Sequence, residues 1–587
     1  MKKIINSPQD VVREMCHGMV LAHPSLTWDP HDQIISRSVL TPDKVSLISG
    51  GGSGHEPAHA GFVGTGMLDA AVCGDVFASP SQIQVYRAIQ KTQGSKGTLL
   101  IVKNYSGDIM NFKNAAYLAQ EDGIEVDYVK VDDDIAVQDS LYTVGRRGVA
   151  GTIFVHKIAG AAAERGYDLA RVKQLAQRTV DHVKTIGFAA SSCTVPAKGT
   201  PTFTLGEDEI EYGVGIHGEP GIRREQMEPA DRLAEHMVTQ LLSELNLSGS
   251  EPIQVALLIN GLGGTPAQEL YILHHSVRRV LAQHPHVSVV YSMVGNYMTS
   301  IDMAGASVSM LVLDPELKEL LFDPCETPAL HITGPQPPVS DSWTEPAVHP
   351  HVTPSDTIET DPAWAVVLED RLSLSNLIYL VDAMSECVIR NEVPFCELDA
   401  HAGDGDFGMS IAKGFRQLKE EWRQITSDVD TMAEFLSRCS LVILEHCGGA
   451  SGPIWGSAFR AASRYCEGKD RLNRQEFAAL LADVVLGIQA TGQRSFGRGA
   501  VVGDKTLMDA LIPCAELWHD MCLEDYSFVH LFRLGAEAAV AGAQRTEQMV
   551  ARMGRAGTVG KRSLSYPDAG AHALGVIFTE LAEKIRE

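Results

Sequence analysis

Three carboxylates fall within eight residues in the stretch Asp399-Ala400-His401-Ala402-Gly403-Asp404-Gly405-Asp406-Phe407-Gly408. On an α-helix, at about 100° per residue, Asp399 and Asp406 would share a face while Asp404 pointed roughly 140° away. The interleaved glycines argue for a loop instead, where positive φ costs little and three side chains can converge. Converging carboxylates repel unless a cation lies between them, and an all-oxygen donor set favours Mg²⁺ or Ca²⁺ over zinc. The spacing is not that of an EF-hand loop. An acidic Asp-Gly turn on the surface is the plainer alternative. Because Mg²⁺ keeps open positions that substrate phosphates fill, the sharper expectation is a metal-nucleotide site.

A second set of candidates lies near the start of the chain. Gly50-Gly51-Gly52-Ser53-Gly54-His55-Glu56-Pro57 follows the first strand-like run. Its glycines bring backbone N–H groups close to a small polar ligand, at the strand end where open α/β sheets bind ligands. It is neither a dinucleotide fingerprint nor a Walker A loop. His55 beside such a loop suits general acid or base work, against the plainer reading of a tight turn. Lys103-Asn104-Tyr105-Ser106-Gly107-Asp108 ends the next strand, and Gly213-Val214-Gly215-Ile216-His217-Gly218-Glu219-Pro220 frames a second histidine. A solvated strand end and a structural histidine are the alternatives. Together these loops offer two histidines, Lys103 and Asp108, a set suited to a small polyhydroxy or carbonyl compound.

The elements that must position these groups divide in two. Runs at 45–49, 98–103, 125–131, 254–260, 287–294 and 307–314 read as buried strands, with helical spacing at 81–92 and 230–245 between them. That alternation predicts an α/β region with at least one largely parallel sheet and two subdomains, spanning 1–330. Prolines then recur from Pro324 to Pro362, so 331–362 reads as a semi-rigid, extended linker. From 363 to 587 the strand signal fades. Eight helical patterns follow, at 364–391, 408–422, 431–447, 452–466, 474–491, 505–522, 527–551 and 568–585, predicting an all-α domain. The expected class is multidomain, α/β followed by all-α.

Composition bounds the partners. The 587 residues exceed one core. A net charge of −25 argues against nucleic acid or an anionic membrane as partner. Eleven scattered cysteines, with no C-x-x-C pair, fit reduced thiols. No run is long and apolar enough to span a membrane and no apolar leader follows the first lysines, so a cytoplasmic protein is expected.

The motifs resemble those of the dihydroxyacetone kinase family. Ile48-Ser49-Gly50-Gly51-Gly52-Ser53-Gly54-His55-Glu56-Pro57, Ala71-Val72-Cys73-Gly74-Asp75-Val76-Phe77-Ala78-Ser79-Pro80 and Gly215-Ile216-His217-Gly218-Glu219-Pro220 look like its substrate domain. Gly403-Asp404-Gly405-Asp406, Gly448-Gly449-Ala450-Ser451-Gly452, Gly503-Asp504-Lys505-Thr506, Gly554-Arg555-Ala556 and Asp568-Ala569-Gly570-Ala571 look like its nucleotide domain. The likeness implies ATP-dependent phosphorylation of a short ketose, dihydroxyacetone foremost. His217 would bond the carbonyl carbon as a hemiaminal, and His55 and Asp108 would deprotonate and orient the terminal hydroxyl. Gly52, Ser53, Gly54 and Lys103 would complete the substrate site. The second domain would be a barrel of eight helices holding ATP through two Mg²⁺ ions on Asp399, Asp404 and Asp406.

Nucleotide contacts implied by the likeness are Phe407, Gly408, Met409, Ser410, Ala450, Ser451, Gly499, Leu507, Arg555, Asp568, Ala569 and Gly570. Phe407 stands where relatives often carry Thr or His, and Arg494 and Arg498 add two arginines near the nucleotide loop. These departures leave room for a C4 ketose, erythrulose. A homodimer is also implied. The other functions weighed are a lyase that cyclises FAD on the same nucleotide domain and a non-catalytic ketose sensor; the intact aspartate trio argues against the sensor.

Overall fold

The computed structural model describes residues 2–137, 145–219, 221–247, 249–335, 337, 360–553, 557 and 560–587. The chain divides into two compact units, 1–343 and 344–587. Most of the expected linker, 331–362, lies outside the described residues. Its first residues do not: His331–Ile332 pairs with Cys325–Glu326 as a small antiparallel hairpin.

The first unit opens with helix α1 (Val11–Ala22) and then builds a six-stranded sheet. Its strands are β1 (Leu26–Asp29), β2 (Ile34–Arg37), β3 (Ser46–Ser53), β4 (Ala70–Val76), β5 (Thr98–Lys103) and β6 (Val126–Val131), in the order β1-β2-β4-β3-β5-β6. β3 runs parallel to β4 and β5, and β5 to β6, while β1 and β2 form an antiparallel edge. Side chains alternate across this sheet. Ile48, Leu100 and Val102 pack on α2 (Gln82–Thr92) and α3 (Ser106–Glu121) through Val85, Ile89 and Phe112. Leu47, Leu99 and Ile101 face the opposite core, shared with α4 (Thr152–Glu164) and α5 (Leu169–His182). With both faces covered, the strands read as unbroken apolar runs.

The glycine stretch departs from expectation. Gly50, Gly51, Gly52 and Ser53 are the last residues of β3 and pair with Val72, Cys73, Gly74 and Val76. They are strand because the neighbours press so close: a Cβ on Gly50 would lie 2.4 Å from the Val72 carbonyl oxygen. The β1–β2 hairpin and β4 went unpredicted.

A second sheet follows, of β7 (Val183–Ala189), β8 (Glu209–Tyr212), β9 (Arg223–Gln226), β10 (Ile253–Gly261), β11 (Val287–Gly295) and β12 (Gly305–Leu313). Its order is β11-β10-β12-β7-β8-β9, and all pairs but β10–β11 are antiparallel. β12 returns antiparallel because residues 296–304 carry no crossover helix. Leu257 and Ile259 face α6 (Ala230–Glu244) and α7 (Ala267–Leu281), whereas Ala256 and Leu258 face the core shared with α4 and α8 (Pro315–Phe322). Helix α4 is buried from Thr152 to Ala163; an element apolar on every side belongs inside. Asp133 holds its start by accepting from the backbone N–H groups of Val149 and Gly151, each at 2.8 Å.

In the second unit the eight expected helices appear, with two short ones added. They are α9 (Leu374–Arg390), α10 (Glu392–Asp399), α11 (Phe407–Glu420), α12 (Trp422–Thr426), α13 (Met432–His446), α14 (Ser451–Tyr465), α15 (Arg474–Phe496), α16 (Met508–Met521), α17 (Phe528–Arg545) and α18 (Ala569–Lys584). Residues 364–370, expected as the start of the first helix, fall instead in two 3₁₀ turns, Pro362–Ala365 and Leu368–Asp370, and the short link between them. The capping box of Ser373 with Asn376 sets the true start of α9. Each long helix packs on the next: α9 on α11, α11 on α13, then α13 through α18 in turn, with α18 back against α9. Inside, an apolar cavity of about 170 Å³ is lined by residues such as Leu377, Leu436, Phe459 and Leu480.

One buried ion pair anchors this unit. Lys419 on α11 donates to Asp382 on α9 at 2.5 Å, both side chains sealed from solvent, and Thr360 donates its N–H and hydroxyl to the same carboxylate. Removing one partner leaves a bare buried charge. Lys419→Met is therefore expected to destabilise the second unit by about 3–5 kcal/mol, measured by urea unfolding; a midpoint equal to the parent's refutes it.

Candidate active sites

The structure gathers His55, Lys103, Asp108 and His217 from three separate chain segments. His55 leaves β3, Lys103 ends β5, Asp108 sits in the first turn of α3 and His217 follows β8. His55 and His217 meet Nε2 to Nε2 at 3.2 Å. The His55 Nδ1 lies 2.9 Å from the Thr299 carbonyl oxygen, which can only accept. His55 is thus protonated on Nδ1, and its bare Nε2 accepts from the Nε2–H of His217.

Aromatic rings fix both imidazoles. Phe77 stacks on His55 with centroids 5.3 Å apart, and Tyr105 meets His217 edge-on at 4.3 Å. The loop carrying His217 is pinned by Glu219, whose carboxylate accepts the His217 N–H at 2.8 Å. Arg147 holds that carboxylate in turn at 3.4 Å, and donates to the Gly213 carbonyl at 2.6 Å. Phe77, Tyr105, Glu219, Arg147 and Thr299 were not singled out as site residues. Three of them, Phe77, Tyr105 and Glu219, lie inside the stretches that were.

Lys103 is fully buried, with Asp108 Oδ2 3.3 Å from its ammonium. A Cβ on Gly51, at φ +153°, would come within 2.5 Å of that ammonium, so only glycine lets the strand pass. Gly52, Ser53 and Gly54 also meet close neighbours: a Cβ on Gly52 would strike Phe77 and Ala78, and Ser53 donates to the Gly74 carbonyl at 2.7 Å. Burial, with the Lys103 charge adding to it, holds His55 down to about 3. Burial first, then His55 and Lys103, also pushes His217 well below its ordinary value. Both are neutral at physiological pH, the form in which imidazole is a nucleophile.

These histidines carry a stability consequence. His59 and His156, also buried in the first unit, are likewise depressed, His156 to about 3. Above pH 6.5 both folded and unfolded chains hold these imidazoles neutral. As pH falls below 6.5 the unfolded chain takes up protons that the folded unit refuses, so stability is lost toward about pH 3. The slope is up to about 1.4 kcal/mol per pH unit for each histidine. Hydrogen exchange of the α4 amides between pH 7 and 4 checks this; protection that does not fall refutes it.

The second unit assembles the acidic site. Asp399 ends α10 and Asp406 is the N-cap of α11, so the trio spans a helix end, a short loop and a helix start. The stretch is therefore not wholly loop: Asp399 belongs to a helix whose end the glycines allow to turn. Gly405 takes φ +75°, and a Cβ on Gly403 would lie 2.2 Å from Asp399 Oδ1. Carboxylate oxygens of Asp399, Asp404 and Asp406 all lie within 4.8 Å of one another. Burial raises the Asp399 carboxyl, the charges of Asp404 and Asp406 raise it further, and N–H groups of Phe407 and Gly405 oppose this. A hard divalent cation reverses such mutual repulsion, so the residues present fit Mg²⁺.

Beside the trio is a cavity of about 190 Å³, lined by Asp399, Asp404, Asp406, Phe407 and Ser410 from one side. Ala450, Ser451, Leu507, Asp568, Ala569 and Gly570 line the other. Asp568 caps α18, accepting from Ala571 N–H at 2.8 Å; burial, with Asp509 close by, pushes it up to about 7. Three expected contacts are not on this lining. Gly408 is packed against the Glu392 carbonyl and Gly499 against Gln489, while Met409 is turned to solvent. Arg555 lies outside the described residues.

The two extra arginines serve local structure. Arg498 forms a two-pronged pair with Asp504 at 2.5 and 2.9 Å, and Arg494 donates to Thr491 at 2.9 Å. Lys505 turns inward and donates to the carbonyls of Thr546, Met549, Ser563 and Tyr566, tying down the segment before Asp568.

Residues 17–329 match the Dak1 domain and residues 401–583 the DAK2 domain. The chain is 36% identical to a putative 3,4-dihydroxy-2-butanone kinase of Solanum lycopersicum, covering 100% of this chain and 98% of that one. It is 34% identical to the triokinase/FMN cyclase of Mus musculus, over 100% and 99% of the two chains. The crystal structure of the dihydroxyacetone kinase from C. freundii in complex with AMP-PNP and Mg²⁺ superposes with a TM-score of 0.59 at 31% identity, covering 99% of each chain.

Proposed function

This chain belongs to the dihydroxyacetone kinase family, and we propose that it moves the terminal phosphoryl group of ATP onto the end hydroxyl of a short-chain ketose, dihydroxyacetone first. The observation that carries the reading is the His55–His217 contact beside Lys103 and Asp108, in a chain whose second unit holds a carboxylate trio and cavity.

The ketose is held as a hemiaminal on His217. As His217 Nε2 attacks the carbonyl carbon, its proton passes to the bare Nε2 of His55, 3.2 Å away, and from there to the carbonyl oxygen. The C–N bond forms, the C=O π pair becomes the hydroxyl, and no net charge or water is lost. His55 Nε2 is again bare and can accept the proton of the terminal hydroxyl during transfer. Asp108 orients that hydroxyl, and the Lys103 ammonium attracts the arriving phosphoryl oxygens. The backbone of Gly52, Ser53 and Gly54 closes over the ketose. Tyr105 and Phe77 keep water from the bonded carbon.

In the second unit Asp399, Asp404 and Asp406 would hold two Mg²⁺ ions. When bound, the ions supply charge neutralisation and alignment of the phosphates. Phe407, Ser410, Ala450, Ser451, Leu507, Asp568, Ala569 and Gly570 shape the nucleotide cavity, and Arg555 is expected from the family likeness to contact the nucleotide. Gly408, Met409 and Gly499 act indirectly, through backbone packing. We read the cyclic packing order of the eight long helices as a barrel, and the domains as 1–330 and 363–587 joined by 331–362.

We further read the enzyme as a cytoplasmic homodimer. Free thiols at all eleven cysteines support a reducing compartment, and among the described residues no helix is long and apolar enough to cross a membrane. About 25 proline-rich linker residues at ~3.1 Å each reach on the order of 75 Å, enough for one chain's nucleotide domain to serve its partner. Light scattering tests the dimer; a monomer at all concentrations ends it.

The deciding experiment measures ADP release with Mg²⁺-ATP over C3 and C4 ketoses, with glycerol as the control. Turnover with dihydroxyacetone or erythrulose and none with glycerol supports the reading; no ketose-dependent ADP release overturns it. The full-length likeness to a triokinase/FMN cyclase favours one second activity, cyclisation of FAD with release of AMP. It would use the second unit alone, so a His217→Ala chain should keep it.

A further inference from the structure

Beneath the ketose site runs a polar chain that the reaction scheme does not use. Lys103 Nζ lies 3.1 Å from His59 Nε2, and His59 Nδ1 lies 2.9 Å from His156 Nε2. All three side chains are buried. His59 comes from the turn after β3, and His156 from the buried helix α4.

The protons on this chain follow from donor and acceptor chemistry. An ammonium can only donate, so His59 Nε2 accepts and its proton sits on Nδ1. That N–H points at His156 Nε2, which must accept, with Ser49 Oγ a weaker partner at 3.4 Å. The proton of His156 is then on Nδ1, a buried atom with no hydrogen-bond partner among the described residues. The reversed chain would satisfy no more atoms and would set two donors face to face at 3.1 Å. A buried orphan donor is costly, which points to a role for the chain beyond packing.

Lys103 has three N–H groups, and their directions account for its fixed position. One meets Gly50 O at 3.4 Å, one Asp108 Oδ2 at 3.3 Å and one His59 Nε2 at 3.1 Å. Without the third the ammonium could swing away from the wall formed by Gly51.

We propose that His59, locked in one tautomer by His156, is a positioning residue that accepts the third N–H of Lys103 and holds that ammonium beside Asp108, where the phosphoryl oxygens arrive. The inference rests on the reading of Lys103 and Asp108 as groups that engage the ketose and the arriving phosphoryl group. Displacing such a group by about 1 Å can cost on the order of 10²-fold in rate.

The test compares His59→Leu with His59→Gln, whose amide oxygen can stand where Nε2 does. His59→Leu should lower kcat by roughly 30- to 100-fold with KM for ATP unchanged. His59→Gln should stay within about 5-fold of the parent. Independently of activity, ¹⁵N NMR of the histidine side chains in the whole protein should show His59 protonated on Nδ1 and bare on Nε2. A folded His59→Leu protein at parental kcat overturns the proposal, as does a His59→Gln protein as slow as His59→Leu, or a proton found on His59 Nε2. If the parent phosphorylates no ketose, the kinase reading fails while the NMR result still decides the His59 contact.

Discussion

Replacing Asp404 or Asp406 with alanine is expected to abolish phosphoryl transfer, by at least about 10³-fold in kcat, while ketose still binds. The three carboxylates converge within 4.8 Å, with Asp399 pushed up first by burial and further by the charges of Asp404 and Asp406, so the cluster carries repulsion that a cation joining it would relieve. Removing one carboxylate relieves repulsion, and the substituted chain should therefore fold at least as well as the parent without Mg²⁺. Added Mg²⁺ should then raise the thermal midpoint of the parent and not of either variant. The ketose adduct on His217 should persist in both, because that histidine belongs to the other unit. Near-parental turnover in either variant at millimolar Mg²⁺ would refute the metal assignment.

The second large effect separates binding from transfer at the imidazole pair. His217→Ala should raise KM for the ketose by about 10²-fold and relax discrimination against glycerol, with a smaller loss in kcat. Glycerol has no carbonyl carbon for the histidine to attack, so on the proposed scheme the covalent bond would be the filter. His55→Ala and Asp108→Ala should instead depress kcat by about 10²- to 10⁴-fold, since proton removal and alignment fail in the transition state. Mass spectrometry of the parent should find a His217 peptide heavier by one intact ketose, whereas a Schiff base on Lys103 would have lost water. A His217→Ala enzyme that excludes glycerol as firmly as the parent shows the selection to lie elsewhere.

Much of the site was legible because glycine, histidine and aspartate cluster where strands and helices end. His55, Lys103, Asp108 and His217 all fell in such clusters, as did the aspartate trio. What escaped were partners carried by elements with another evident purpose. His156 stands in a run, Thr152 to Ala163, that is buried throughout, and nothing in its spacing distinguishes it from core. His59 follows the glycine stretch by only a few residues, yet its role depends on a lysine 44 positions away. The glycines of β3 read as loop because composition cannot reveal that a Cβ on Gly50 would lie 2.4 Å from the Val72 carbonyl oxygen of the neighbouring strand. From sequence, Arg494 and Arg498 stood as two added arginines near the nucleotide loop. The structure turns Arg498 onto Asp504 and Arg494 onto Thr491, since a nearby acceptor settles a side chain before any ligand arrives.

The cyclic packing of the second unit also bears on how the protein is made. Each long helix packs on its predecessor, so this unit can grow helix by helix as the chain emerges, with contacts that are local and fast to form. One seam is different: α18 must return to α9. The aspartate trio lies beside the opening helices of the ring, and Asp568 caps α18 across the same cavity. A nascent chain stalled before α18 therefore carries its acidic loop without the part of the opposite wall that Asp568, Ala569 and Gly570 supply. Such an unfinished chain cannot enclose a nucleotide, and it exposes the apolar flanks of α9 and α17 that α18 would cover. Incomplete synthesis thus leaves a sticky, inert product, the kind that chaperones and proteases remove.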